Sequence, residues 1–235
     1  MKGKRIAIIG DGKMGQTVAS LAAEKGWTVV AIIGERDNSG GNGITAATLK
    51  SAQVAVEFTE PAAAVGNITA CLRAGCPVVA GTTGWYDALP EVTRIAEESG
   101  SALLWSANFS LGVNVMLELA RHAGELMRST NAFDAHIVET HHTAKKDAPS
   151  GTAIQIERAA REGFGPAVPI TSVRTGSVPG THELVFDGKF EQLTLTHVAR
   201  DRSVFAAGAL GAAEWLIGRK GVFTMRDVLS LPPRN

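Results

Sequence analysis

The stretch RIAIIGDGKMGQTVASLAAEKG, Arg5–Gly26, decides the fold. It begins as a short apolar run with the character of a buried strand. Gly10, Gly12 and Gly15 follow in a G-x-G-x-x-G spacing, and Val18, Leu21 and Ala22 then recur at helical intervals. The spacing acquires meaning in this context, where a glycine loop leaves a strand and opens a helix. Gly10 suits the tight turn, Gly12 lets a pyrophosphate approach the backbone, and Gly15 lets helix and strand pack closely. The free N–H groups and dipole of the helix start offer phosphates a positive end. The bland alternative is a glycine turn that binds nothing.

The next segment argues against that alternative. A second strand, WTVVAIIGE, ends at Glu35, twenty residues past Gly15, where an acid that binds a ribose is expected. Arg36 follows, where a guanidinium meets a 2′-phosphate. Acid and arginine together suggest that both NADH and NADPH are accepted. Further on, QVAVEFT, PVVAGTTG and SALLWSANF read as strands, and PAAAVGNITACLRAG and LPEVTRIAEESG as helices. Strands that are nearly continuous in apolar residues and alternate with helices imply a parallel sheet buried on both faces. The loops AGTTGW and SANFS lie at the C-terminal ends of strands, where ligands of open α/β sheets bind.

The pattern changes after about residue 109. GVNVMLELARHAGELM is a long amphipathic helix. FDAHIVETHH alternates, with Ala135, Ile137 and Glu139 on one face and His136, Val138 and Thr140 on the other. GTAIQIERAAREG is a helix, and ITSVRTGS, THELVFDG and EQLTLTHVAR are strands, the last two a hairpin around DGK. FAAGALGAAEWLIG is a terminal helix that returns to the first region. The expected organisation is a Rossmann-type dinucleotide-binding domain of residues 1–108 and 209–235. Residues 109–208 form an α+β domain with a mixed or antiparallel sheet.

Composition excludes several classes. The chain has 235 residues and a formal net charge of zero, without the positive field that nucleic-acid binding needs. No apolar run reaches the roughly 18 residues of a membrane span. Cys71 and Cys76 form neither a CxxC pair nor a disulfide framework, and read as free thiols in a reducing cytoplasm.

The densest collection of chemistry is ETHHTAKKDAPSGTA, Glu139–Ala153. His141 and His142 are adjacent, so on a strand they face opposite sides. Pro149 restricts Ala148 to extended conformations, and Ser150 is a natural N-cap for a helix starting at Gly151 or Thr152. That helix start suits a carboxylate, with a lysine, Lys145 or Lys146, supplying charge or a proton and a histidine positioned for proton transfer. Two histidines with His136 or Glu139 also suggest a metal. Adjacent histidines diverge, however, and adjacent lysines repel a cation, so no metal is expected. Residue chemistry alone ends at a small-acid site beside a dinucleotide domain.

The run Glu139–Ala153 resembles the signature of the 4-hydroxy-tetrahydrodipicolinate (dihydrodipicolinate) reductase family, E-x-H-H-x-x-K-x-D-A-P-S-G-T-A, at every fixed position. The resemblance extends over the glycine loop, FTEP, AGTTG, ANFSLGVN and the strands ending in LTLTHVARDRSVFAAGAL. It implies reduction of a small cyclic dicarboxylate in diaminopimelate and lysine biosynthesis, with NADPH or NADH as cofactor. His141 matches the family's proton donor or acceptor, Lys145 its general acid and His142 a substrate contact. Ser150, Gly151 and Thr152 match the carboxylate site. Gly10, Asp11, Gly12, Lys13, Met14, Gly15, Glu35, Arg36, Phe58, Gly81, Thr82, Thr83, Ser106, Ala107, Asn108 and Phe109 match cofactor contacts. Lys13 stands where the family commonly has arginine. The resemblance further implies a cytoplasmic homotetramer in which residues 109–208 bind substrate and mediate oligomerisation; the neutral composition implies binding to neither nucleic acid nor membrane. An L-aspartate-type amino-acid dehydrogenase and a non-catalytic nucleotide sensor are the rival readings.

Overall fold

A computed structural model of the chain describes residues 3–38 and 41–231. The expected domain assignment of residues 1–2, 39–40 and 232–235 lies outside them. The chain divides into two compact units, Met1–Phe109 with Phe205–Asn235, and Ser110–Val204.

The first unit is built on a six-stranded parallel sheet. Its strands are β1 (Arg5–Ile9), β2 (Thr28–Ile33), β3 (Val54–Glu57), β4 (Val78–Ala80), β5 (Ala102–Trp105) and β10 (Gly221–Thr224). Their order is β10-β5-β4-β3-β1-β2. The helices are α1 (Lys13–Glu24), α2 (Pro61–Arg73), α3 (Leu89–Glu98), α6 (Ser203–Leu216) and the short α7 (Met225–Val228). Successive residues of β1 point to opposite faces, so Ile6 and Ile8 enter one core layer and Ala7 and Ile9 the other. One layer is closed by Val18 and Ala22 of α1 and by Ala206, Ala209, Leu210 and Leu216 of α6. The other is closed by Ile68 and Leu72 of α2 and by Val92 and Ile95 of α3. Because α6 is apolar on most of its surface, it is buried as expected. The sequence reading stopped there, whereas the chain continues into β10, which pairs parallel with β5 at the sheet edge.

The second unit holds α4 (Leu111–Thr130), β6 (Phe133–His141), α5 (Gly151–Phe164), β7 (Ile170–Arg174), β8 (Thr181–Gly188) and β9 (Gln192–Val198). Its four-stranded sheet has the order β7-β6-β8-β9. It is mixed: β6 runs parallel to β7 and antiparallel to β8, and β8 and β9 form the expected hairpin. The helices α4 and α5 cover one face, where Met116, Ala120, Ile156 and Ala160 meet Ile137, Leu184 and Phe186. The serines Ser110 and Ser150 cap α4 and α5, accepting from the N–H groups of Val113 and Ala153. By contrast, α1 begins at Gly12 with no side-chain cap, which leaves its positive end to a ligand.

Candidate active site

The glycine loop has the geometry its spacing requires. Gly10 takes φ +104°, and a Cβ there would overlap the Phe58 carbonyl oxygen. A Cβ on Gly15 would overlap the carbonyl oxygen of Gly10 itself, which is how closely helix and strand pack. A Cβ on Gly12 would meet nothing within 4 Å, so the space before α1 is open. Two adjoining cavities of about 360 Å³ each share Gly12, Phe58 and Thr59. One runs past Lys13, Met14, Gly81, Thr82 and Thr83, and the other past Gly10, Asp11, Gly34 and Glu35. An elongated two-lobed ligand with phosphates at its middle fits this arrangement, and these residues would hold a dinucleotide.

Other expected cofactor contacts are placed differently. Arg36 is exposed beside Glu35 and lines neither cavity. The loop Ser106–Phe109 lines neither as well. Within it the Ser106 hydroxyl donates to the Asn108 carbonyl at 2.7 Å, Ala107 is exposed and Asn108 is buried. The ring of Phe109 belongs to the core, edge-on to Phe58 with centroids 6.0 Å apart.

Sequence reasoning missed the group beneath these loops. Glu57, the last residue of β3, is fully buried. Its Oε1 accepts from the hydroxyls of Thr82, at 2.8 Å, and Thr59. The Thr82 hydroxyl in turn accepts from the N–H of Thr59 at 2.7 Å. Asn67 donates to the Thr59 hydroxyl at 3.1 Å, and Asn38 donates to Asn67 at 2.7 Å. Three loops at the cofactor end are thus tied through one carboxyl. Burial pushes that carboxyl above its usual range, against the hydrogen bonds of Thr59 and Thr82. The signal was the acid in VEFT, at the end of an otherwise apolar strand.

The second unit presents the proton-carrying groups. Strict alternation along β6 places Ala135, Ile137, Glu139 and His141 on the helix-covered face, all buried. His141, the last residue of the strand, places Nδ1 within hydrogen-bonding contact of Glu139 Oε2. Glu139 Oε1 accepts from Arg174 Nη2 at 2.7 Å and from the Ser150 N–H at 3.3 Å. Burial opposes ionisation of Glu139, but hydrogen bonds from Arg174, Ser172 and His141 overcome it and hold the carboxyl at about 2. Burial lowers His141 below its usual 6.5, while Glu139 pulls the other way. His182 of β8 lies edge-on to His141 with ring centroids 5.1 Å apart, and its Nε2 is 3.0 Å from the Ser150 hydroxyl. Burial holds His182 down to about 4, so it is neutral at physiological pH.

Lys145 stands in the loop after β6, with Nζ donating to both Asp147 oxygens at 2.7 and 2.9 Å. Arg174 also donates to the Asp147 carbonyl at 2.6 Å, which ties this loop to Glu139. His142 follows the strand, half-buried, and its carbonyl accepts the N–H of Lys145 at 3.1 Å. Ser150 is buried as the cap of α5, with Gly151 exposed and Thr152 half-buried in the first turn. His141, Lys145 and the start of α5 therefore converge around Glu139. The sequence reading gave Glu139 no task except as a metal alternative, and did not single out Arg174, His182 or Asp147. Arg174 and His182 lie far along the chain, and only sheet pairing brings them together: Glu139 is opposite Ser172 on one side and His182 on the other.

Glu139, His141 and His182 offer ligand atoms within 4.8 Å of one another, the spacing of a metal site. The donor set does not fit one. Arg174 and the Ser150 N–H occupy the Glu139 carboxylate, and a guanidinium 2.7 Å from that oxygen repels a cation. A cavity of about 630 Å³ lined by Arg128 and Asp134 lies near the start of β6, the opposite end of the strand from His141. Cys71 and Cys76 are free and buried, and burial pushes both thiols up, that of Cys76 to about 12.

A parallel sheet with a glycine loop opening a dinucleotide-sized space, joined to a mixed-sheet unit bearing histidine and lysine, defines a nucleotide-dependent oxidoreductase of two units. Family models described as dihydrodipicolinate reductase match both parts, the N-terminus over residues 4–109 and the C-terminus over residues 112–229. The chain belongs to the dihydrodipicolinate reductase family. It is 36% identical to the 4-hydroxy-tetrahydrodipicolinate reductase of Christiangramia forsetii, over 96% of this chain and 97% of that protein. It is 37% identical to the enzyme of the same name from Thiobacillus denitrificans, over 97% and 98% of the two chains. Its fold is similar to a dipicolinate-bound dihydrodipicolinate reductase from Paenisporosarcina sp. TG-14, with TM-score 0.79, 24% identity and coverage of 94% and 97%.

Proposed function

We propose that this chain reduces 4-hydroxy-tetrahydrodipicolinate to tetrahydrodipicolinate, with loss of water, at the expense of a nicotinamide dinucleotide. The observation that carries the reading is the convergence of His141, Lys145 and the start of α5 around Glu139, on a family match spanning both units. The Gly151–Thr152 turn at the start of α5 binds a carboxylate of the substrate and so orients the reacting carbon. A bound reduced nicotinamide supplies the hydride. Lys145 or protonated His141 supplies the proton that the substrate then needs. Lys145 leaves Asp147 as it takes up this role, and His142 contacts the substrate.

Either NADPH or NADH serves. Glu35, on the cavity wall, accepts from ribose hydroxyls, while the exposed Arg36 beside it meets a 2′-phosphate. Lys13 lines the other cavity and acts on the phosphates there. The protein works in the cytoplasm as a homotetramer. Supporting the assembly, the sheet face not covered by α4 and α5 carries Val138, Val173, Val185 and Val198, with Val198 58% exposed. Among the described residues no helix is long and apolar enough to cross a membrane.

The test is oxidation of each nicotinamide cofactor with freshly generated 4-hydroxy-tetrahydrodipicolinate, with dipicolinate as a competing planar dicarboxylate. Turnover that depends on the substrate and is inhibited competitively supports the reading. Turnover with aspartate instead, or cofactor binding without oxidation, overturns it.

A further inference from the structure

We propose that Glu139 is a positioning residue: its carboxylate, locked by Arg174 and the start of α5, keeps the Nδ1 proton of His141 so that proton exchange with substrate runs through Nε2 alone. The proposal rests on the reading of His141 as a proton-handling group.

Donor and acceptor capacity fixes which ring nitrogen carries the proton. An ionised carboxylate only accepts. Oε1 of Glu139 faces two groups that only donate, Arg174 Nη2 at 2.7 Å and the Ser150 N–H at 3.3 Å. The Ser172 hydroxyl donates to the same carboxylate. His141 faces Oε2, and has to present Nδ1–H to it whether the ring is neutral or charged. Free neutral imidazole of histidine prefers its proton on Nε2, so Glu139 reverses the preference. Nε2 then carries the lone pair in the neutral ring and the exchangeable proton in the charged one. This edge of the ring borders bare backbone: a Cβ on Gly180 would sit 3.0 Å from Nε2.

The surroundings hold the arrangement. Glu139 is fully buried and His141 8% exposed. Lys145 of the following loop, Arg174 of β7 and His182 of β8 are the other titratable groups that face the ring. His182 packs edge-on and hinders rotation of the ring. Arg174 binds both Glu139 and the carbonyl of Asp147, whose carboxylate grips Lys145. One guanidinium therefore sets the orientation of one candidate proton carrier and the loop of the other.

The test is side-chain ¹⁵N NMR of histidine in the full chain, wild type and Glu139→Gln, with steady-state turnover of each. In wild type at a pH where His141 is neutral, the Nδ1–H tautomer is expected. In Glu139→Gln the amide oxygen is drawn to Arg174 and Ser150, so the amide NH₂ faces Nδ1 and drives the ring proton to Nε2. Turnover should then fall about 10²-fold, with cofactor affinity unchanged. An Nε2–H tautomer in wild type overturns the proposal without any variant, so a Glu139→Gln chain that fails to fold does not leave it untested. The same tautomer in both proteins also overturns it. A reversed tautomer with full turnover instead removes His141 from the proton chemistry, and so overturns the underlying reading together with the proposal.

Discussion

At the scale of single residues, the site depends on which edge of His141 is free. Gly180 borders Nε2, and the 3.0 Å approach of an added methyl leaves that ring no room against His182 and Glu139. Gly180→Ala is expected to lower kcat about tenfold or more, through displacement of the ring, while cofactor affinity stays at the wild-type value by equilibrium titration. The adenine end makes a second prediction. Glu35 lines its cavity and Arg36 stands outside it, so Arg36→Ala should raise KM for NADPH about tenfold and leave NADH little changed. Glu35→Ala should do the reverse, losing NADH more than NADPH. Comparison of the two kcat/KM ratios checks both.

At the scale of elements, the glycine loop and β6 were legible because each obeys one simple period. The G-x-G-x-x-G spacing sits between an apolar strand and a helical repeat, and strict alternation put Ala135 and Ile137 on the face that is buried. What remained illegible was pairing between distant strands. Nothing local in ITSVRTGS or THELVFDG says that Arg174 and His182 flank Glu139, because that follows from sheet register alone. The strand β10 was missed for a related reason. Its four residues, Gly221–Thr224, are half-buried and become a strand only by pairing with the edge of β5. The cap of α5 shows what local chemistry does specify, since Ser150 was readable from DAPSGT and caps the helix. Ser150→Ala should cost about 1 kcal/mol of stability by chemical denaturation. It should also raise KM for the dicarboxylate, because the turn proposed to hold it loses its anchor to His182. In the other unit, Thr82→Val removes the bonds of the Thr82 loop to Glu57 and to the Thr59 N–H, leaving the Thr59 hydroxyl on Glu57, and should weaken cofactor binding with kcat at saturation preserved. Trp85, whose indole N–H donates to the Thr82 carbonyl at 2.8 Å, provides the fluorescence signal.

At the scale of the whole molecule, buried histidines link folding to pH. The folded chain holds His182 at about 4, whereas an unfolded histidine titrates near 6.5. Between these values the unfolded chain takes up a proton that the folded chain refuses. Stability present above pH 6.5 is therefore lost as pH falls toward 4, by up to about 3 kcal/mol from this residue. His141 and His197, also lowered by burial, act in the same direction. Glu139, held at about 2, adds a further loss only below about 4.5. Thermal midpoints measured across this range should fall most steeply between pH 6.5 and 4, and less so in His182→Gln. The central claim is that one unit holds the nucleotide while His141 and Lys145 of the other handle the proton. The most direct measurement compares kcat and cofactor affinity in His141→Ala and Lys145→Ala with those of wild type. The account predicts that each variant loses about 10²–10⁴-fold in kcat and binds NADPH as before. Wild-type turnover in both variants would contradict it.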